Sequence, residues 1–154
     1  MSNIPEGVVI QNAQCFSSST KDRDRIIEIL KVLEHSVFKI SPTVTQMQIE
    51  LGSVHVAVAN NEIVGVMVLV ESGPWRKALE IEKIAVAEAY KNKGIGRSLL
   101  EHAEKIARRQ YVRLEVSTRK EYNSVGFYKK CGYEVIYVDD KIHGLKKDLY
   151  NNKR

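Results

Sequence analysis

Three features of the sequence predict an α/β fold: a single domain over residues 1–154 whose mixed, mostly antiparallel sheet is flanked by helices. Apolar residues recur near a period of two in some runs and near 3.6 in others, in the order β-α-α-β-β-β-α-β-α-β-β. Asn60-Asn61 lies between two β-rich runs and marks a tight antiparallel hairpin, since both residues tolerate the positive φ that such a turn demands. A strand over Leu79–Ala87 then leads through a glycine-bearing turn directly into a long helix.

Taken in order, Gly7–Gln11 is a short β run, and Asp22–Ser36 places Ile26, Ile27, Ile29, Leu30, Val32 and Leu33 at helical spacing, with Thr20 or Asp22 as the cap. Lys39–Thr43 breaks the chain, and Val44, Met47 and Leu51 mark a second, weaker helix that Gly52 ends. His55–Ala59 and Glu62–Glu71 are the hairpin strands. After Ser72-Gly73-Pro74-Trp75-Arg76-Lys77 comes Leu79–Ala87, whose second half is apolar on both faces as in an interior strand. Ile95 to about Gln110 is amphipathic, with Ile95, Leu99, Leu100, Ala103, Ile106 and Ala107 on one face and Glu101/Lys105 and Glu104/Arg108 as i,i+4 pairs on the other. A strand at Val112–Ser117, a short helix around Asn123–Cys131 and strands near Tyr133–Val138 and His143–Leu149 complete the pattern.

The 154 residues, 44% hydrophobic and 28% charged, suit one compact domain, and no apolar run approaches the roughly 20 residues of a membrane helix. The N-terminal MSNIPEGVVIQN has no basic segment or apolar h-region, and Cys15 and Cys131 are too few for a disulfide framework. A soluble cytoplasmic protein without membrane partners is expected. The cysteines and His35, His55, His102 and His143 lack ligand spacing, so no metal is expected. The net charge of +5 suits a polyanionic partner. Arg108-Arg109 and Lys146-Lys147 are too scattered to form a nucleic-acid groove, so no nucleic-acid partner is expected.

The chemistry concentrates where the Leu79–Ala87 strand runs through Lys91-Asn92-Lys93-Gly94-Ile95-Gly96 into the helix. First-turn N–H groups have no intrahelical acceptor and sit at the positive end of the helix dipole, so a phosphate can bind main-chain donors there. Gly94 and Gly96 remove the Cβ atoms that would block its approach, and Lys91, Lys93 and Arg97 add charge. A P-loop needs four residues between its first glycine and the Gly-Lys-Ser/Thr, and a dinucleotide fingerprint needs a small residue where Leu99 stands, so both readings fail.

The segment IAVAEAYKNKGIGRSLLEHAEKIA, preceded by LEIEK and followed by EYNSVGFYKKCGYEVI, resembles the GNAT superfamily of N-acetyltransferases. Asn123, Phe127, Tyr128, Gly132 and Tyr133 match the second of its patterns, while Lys91 departs from the family's Arg or Gln at the start of the first. The resemblance implies acetyl-CoA as cosubstrate. Its pyrophosphate would lie on Lys91, Asn92, Lys93, Gly94, Ile95, Gly96 and Arg97. Its pantetheine arm would pair with Ile84, Ala85 and Val86, one of whose N–H groups polarises the thioester carbonyl, and Asn123 would touch the cofactor from the other side. The acceptor would be a primary amine, of a peptide or protein or of a small molecule such as a polyamine, attacking directly in a ternary complex.

A lysine-like amine costs roughly 4 to 5 kcal/mol to deprotonate at pH 7 and an α-amine about 1, so a side-chain acceptor needs a base more. The resemblance puts Glu80 and Glu115 in two alternative base positions. Strand alternation puts Glu80 and Glu82 on one face, where they can instead pair with Lys83 or Arg113. Tyr128 takes the place of the family residue that protonates, or hydrogen-bonds, the departing thiolate. Asp139-Asp140 reads as an acidic turn with a secondary capacity to attract a cation. A monomer or homodimer is expected. A non-catalytic acyl-CoA sensor of the same fold is the alternative.

Overall fold

A computed structural model describes residues 7–73 and 77–150. Among them, seven strands form one mixed sheet in the order β1-β2-β3-β4-β5-β7-β6. The strands are β1 (Val8–Asn12), β2 (Val54–Ala59), β3 (Glu62–Glu71), β4 (Ala78–Val86), β5 (Arg113–Arg119), β6 (Glu134–Val138) and β7 (Ile142–Asp148). The helices are α1 (Thr20–Leu30), α2 (Pro42–Glu50), α3 (Ile95–Ala107) and α4 (Val125–Lys130), so the element order is the predicted one. β1–β2, β2–β3, β5–β7 and β7–β6 pair antiparallel, and β4–β5 pair parallel. Asn60 and Asn61 both adopt positive φ, 53° and 62°, as the hairpin requires. No helix among the described residues is long and apolar enough to cross a membrane. Pro74, Trp75 and Arg76, in the β3–β4 connection, lie outside the described residues.

The chain divides into two compact units, one running up to Leu69 and including Lys83–Glu101, the other comprising Val70–Glu82 and the chain from His102. The core of the first gathers Ile26 and Leu30 of α1, Ile49 of α2, Val54 and Val56 of β2, Val64 and Val66 of β3 and Leu99 of α3, all fully buried. In the second, Leu79 and Ile81 of β4, Leu114 and Val116 of β5, Leu145 of β7 and Ala103 and Ala107 of α3 are buried.

Several local outcomes depart from the sequence reading. Ser19 caps α1, its hydroxyl accepting from the Asp22 N–H, in place of Thr20 or Asp22. The helix stops at Leu30 and not Ser36: a 3-10 turn over Lys31–Leu33 follows, and His35 and Phe38 exchange N–H···O bonds of 3.0 and 3.2 Å. α3 ends at Ala107 rather than Gln110 because Arg109 and Gln110 donate to carbonyls three residues back, a tighter turn that closes the helix. In α2 the buried residues are Thr45 and Ile49, while Val44, Met47 and Leu51, whose spacing marks the helix in the sequence, are exposed. β4 is more deeply buried in its first half than in its second: Ala78, Leu79 and Ile81 are covered, while in the second half Ala85 is covered and Ile84 and Val86 are partly buried.

Candidate active site

The β4–β5 register accounts for that difference. It covers Ala78↔Arg113 to Ile81↔Val116 and goes no further among the described residues, although β4 continues to Val86. Strand backbone beyond a ladder keeps donors and acceptors that an extended ligand can pair with. Ile84, Ala85 and Val86 stand on this segment. The Ala87 N–H donates to the Val64 carbonyl at 2.8 Å, which anchors the exit from β4 on β3.

The turn that follows is built for main-chain donation. Lys91, Asn92, Lys93 and Gly94 are all exposed, and Asn92 and Gly94 take left-handed φ of 63° and 85°. The Gly94 carbonyl accepts the Ser98 N–H and the Ser98 hydroxyl, both at 3.0 Å, and so fixes Gly94 as the cap of α3. The N–H groups of Ile95, Gly96 and Arg97 precede that first helical bond and have no intrahelical acceptor. Exposed glycine backbone, free first-turn donors and surrounding cations suit a pyrophosphate. The cations are locally paired: Lys91 lies 3.2 Å from Glu88, and Arg97 3.7 Å from Glu101 one turn along the helix.

Gly65 of β3, which the sequence reading passed over, sets the depth of this turn. A Cβ there would stand 3.0 Å from Ile95 Cγ2 and 3.2 Å from Leu99 Cδ1, so only glycine lets the start of α3 settle this closely on the sheet. An isolated glycine inside the apolar run EIVGVMVLVE was the available signal. Ser98, four residues after Gly94, was likewise legible from helical spacing.

In the other unit, Glu80 and Glu115 are register partners, and Glu115 faces Lys146 of β7, itself opposite Glu134 of β6. Glu115 is buried, yet its carboxylate accepts from Arg113 Nε at 2.7 Å and from the Ser72 hydroxyl at 3.2 Å. Arg113 thus serves Glu115. Arg113 two residues before Glu115 follows from strand alternation; Ser72 is 43 residues away in the chain and left no signal. Glu80 is half-buried and Glu82 exposed. Lys146 also pairs with Asp148 at 2.8 Å.

Tyr128 sits in α4, only 4% exposed, its ring edge-on to Phe127 and Tyr133 at centroid distances of 5.2 and 5.6 Å. Burial, with Cys131 nearby, raises the Tyr128 phenol well above its ordinary value of 10. Tyr133 is equally buried; its hydroxyl has no hydrogen-bond partner, and burial again raises its pKa. The end of α4 is held in place: Gly132 takes φ 96°, and Lys147 donates to the Cys131 carbonyl at 3.0 Å and to Glu104 at 2.9 Å. Burial pushes the Glu104 carboxyl up, but hydrogen bonds from Lys147 and Arg108 outweigh it and hold the pKa below the usual range. Asn123 is exposed at φ 54°, a left-handed position that by itself favours asparagine. Both oxygens of Asp139 are taken up by its own hairpin, accepting from Lys141 N, Ile142 N and the Tyr137 hydroxyl.

The sequence pattern of the acetyltransferase (GNAT) family matches residues 23–133. A protein of Bacillus subtilis strain 168 described as the uncharacterized N-acetyltransferase YvbK is 28% identical over 116 residues, spanning 73% of this chain and 74% of its own. Ard1 from Thermoplasma volcanium shares the fold, with a TM-score of 0.76 at 18% identity over 94% of this chain and 99% of that one. So does the PaiA N-acetyltransferase from Thermoplasma acidophilum, solved with coenzyme A, with a TM-score of 0.67 at 21% identity over 92% and 98% of the two chains. The chain belongs to the acetyltransferase (GNAT) family and is an acetyl-CoA-dependent acyltransferase.

Proposed function

We propose that this acyltransferase moves the acetyl group of acetyl-CoA to a primary amine by direct attack in a ternary complex, without an acetylated enzyme intermediate. The observation that carries the reading is the early end of the β4–β5 ladder at Ile81, which leaves Ile84–Val86 with backbone to offer an extended substrate arm. One N–H of that segment polarises the thioester carbonyl, and the donors of residues 91–97 take the pyrophosphate. Asn123 contributes a further cofactor contact.

The acceptor, an amine on a peptide or on a small molecule such as a polyamine, enters as an ammonium ion. Glu115 accepts hydrogen bonds from Arg113 and Ser72, which hold its carboxylate in place. Proton removal falls to Glu80 or Glu115, register partners on β4 and β5, directly or through water. The neutral amine attacks the carbonyl carbon, the adduct's nitrogen gives up its second proton to the thiolate or to water, and the C–S bond breaks to release the thiol; the family resemblance gives Tyr128 the place beside the leaving group. A phenol raised above 10 is a weaker acid than a thiol of pKa about 8.5, so Tyr128 holds the thiolate by a hydrogen bond and keeps its own proton.

Thermal unfolding with increasing acetyl-CoA, followed by thiol-release assays with peptides, polyamines and aminoglycosides, tests the reading. At 100 times its Kd, acetyl-CoA should add about 2.7 kcal/mol of stability, and thiol release should require an amine. Stabilisation without thiol release from any amine would favour the acyl-CoA sensor instead, and no stabilisation would remove both.

A further inference from the structure

Helix α4, which carries Tyr128, is too short to hold itself. Six residues give few internal hydrogen bonds, so the place of Tyr128 depends on what grips the helix from outside. At its start, the hydroxyls of Ser124 and Thr118 share a hydrogen bond of 3.0 Å that ties α4 to β5. At its end the grip comes from β7, where Lys147 Nζ donates to the Cys131 carbonyl at 3.0 Å and to Glu104 of α3 at 2.9 Å. A carbonyl at a helix end lacks an intrahelical donor, and a lysine ammonium supplies one.

The lysine is itself fixed. Exposed ion pairs are loose, but only 26% of the Lys147 side chain and 21% of the Glu104 side chain are exposed, and Arg108 holds Glu104 in turn at 2.6 Å. The stem of Lys147 runs against Gly132, where a Cβ would stand 3.1 Å from Lys147 Cε, and its ammonium lies 5.9 Å from the centre of the Tyr133 ring. Tyr133 meets Tyr128 twice. Its N–H donates to the Tyr128 carbonyl at 3.0 Å, and its ring stands edge-on to the Tyr128 ring at 5.6 Å. All of these groups belong to one compact unit.

We propose that Lys147 is a positioning residue for the leaving group: by fixing the turn Cys131-Gly132-Tyr133 it aims the Tyr128 hydroxyl at the sulfur of CoA, without itself touching the cofactor. The inference rests on the assignment of Tyr128 to the departing thiolate. A hydrogen bond weakens steeply with misalignment, so a small drift of α4 is enough to lose it while the fold persists.

The probe is CoA bound to the full chain, its thiol titrated by the ultraviolet absorption of the thiolate against the protein alone. A hydrogen bond to the thiolate favours the charged form, so the bound thiol should titrate at least about one pH unit lower in the unaltered protein than in Tyr128→Phe. Lys147→Met keeps the stem and removes the ammonium, and it should undo more than half of that difference. Lys147→Arg keeps both charge and donors and should preserve it. Added to Tyr128→Phe, Lys147→Met should change nothing further, because the two act through one hydrogen bond. Glu104→Gln frees the lysine from its other side and should act in the same direction, which keeps the test decisive where Lys147→Met does not fold. CoA affinity should move less than about threefold throughout. Equal titration in the unaltered protein and Tyr128→Phe would remove the Tyr128 assignment and this inference with it. A difference that both Lys147→Met and Glu104→Gln leave intact would overturn the inference alone, making Lys147 a purely structural residue. So would an effect of Lys147→Met that is as large in the Tyr128→Phe background, since the ammonium would then act on the sulfur by its charge and not through Tyr128.

Discussion

The turn at residues 91–97, to which we assign the pyrophosphate, and the cluster around Tyr128, to which we assign the leaving thiolate, are built by opposite means. Residues 91–94 are exposed and present main-chain donors, and their cations pair only loosely with neighbouring glutamates. Tyr128, Tyr133 and Glu115 are buried, and burial raises the pKa of both tyrosines. A site made of main-chain donors tolerates a changed side chain, so Lys91 in the family's Arg/Gln position is compatible with the pyrophosphate assignment we propose. A side-chain site tolerates very little, because its properties come from burial.

That contrast can be broken most sharply at Tyr128. Tyr128→Phe removes a hydrogen bond to a charged leaving group, worth about 1.5–3 kcal/mol, so turnover should fall about ten- to hundredfold while acetyl-CoA affinity and the fold persist. Unchanged turnover at saturating substrates would end the assignment. Gly94→Ala forces a side chain into φ 85° at a cost of about 1–2 kcal/mol, and acetyl-CoA binding measured by calorimetry should weaken about tenfold.

Beneath the turn, Gly65→Ala should cost about 1–3 kcal/mol in urea unfolding, since the new Cβ meets the branched Ile95 at 3.0 Å. Ordinary stability there would mean that the α3 start does not depend on that close approach. Tyr133→Phe deletes a buried, unpartnered hydroxyl and should stabilise the protein by about 1 kcal/mol. It should also flatten the alkaline limb of stability. Tyr128 and Tyr133 have pKa values raised on folding, so the unfolded chain loses their protons first; stability is complete below about pH 10 and falls as pH rises beyond it. Lys91→Ala should have the smallest effect, raising the acetyl-CoA Kd less than about fivefold, as expected of a half-exposed charge. A loss there larger than that of Gly94→Ala would reverse the distinction between the two regions.

The element order, the Asn60-Asn61 hairpin and the glycine turn were legible in the sequence because each rests on local rules: hydrophobic period, left-handed φ and helix-end donors. Periodicity identifies a helix face without saying where the face points. Val44, Met47 and Leu51 show the limit, since the row that marks α2 is the row left outside. Partners far apart in the chain were equally hidden: Ser72 reaches Glu115 only because strands meet across the sheet, and the β4–β5 ladder ends at Ile81 for no reason written in β4 alone.

The sequence by itself therefore determined the kind of fold and the glycine turn before α3, since short-range backbone preferences carry both. Only the tertiary structure decided which carboxylate is tied up by Arg113, how deeply the two tyrosines are buried and which face of α2 stays in water. Those outcomes depend on solvent exclusion and on contacts between residues distant in the chain, and neither is encoded at any single position.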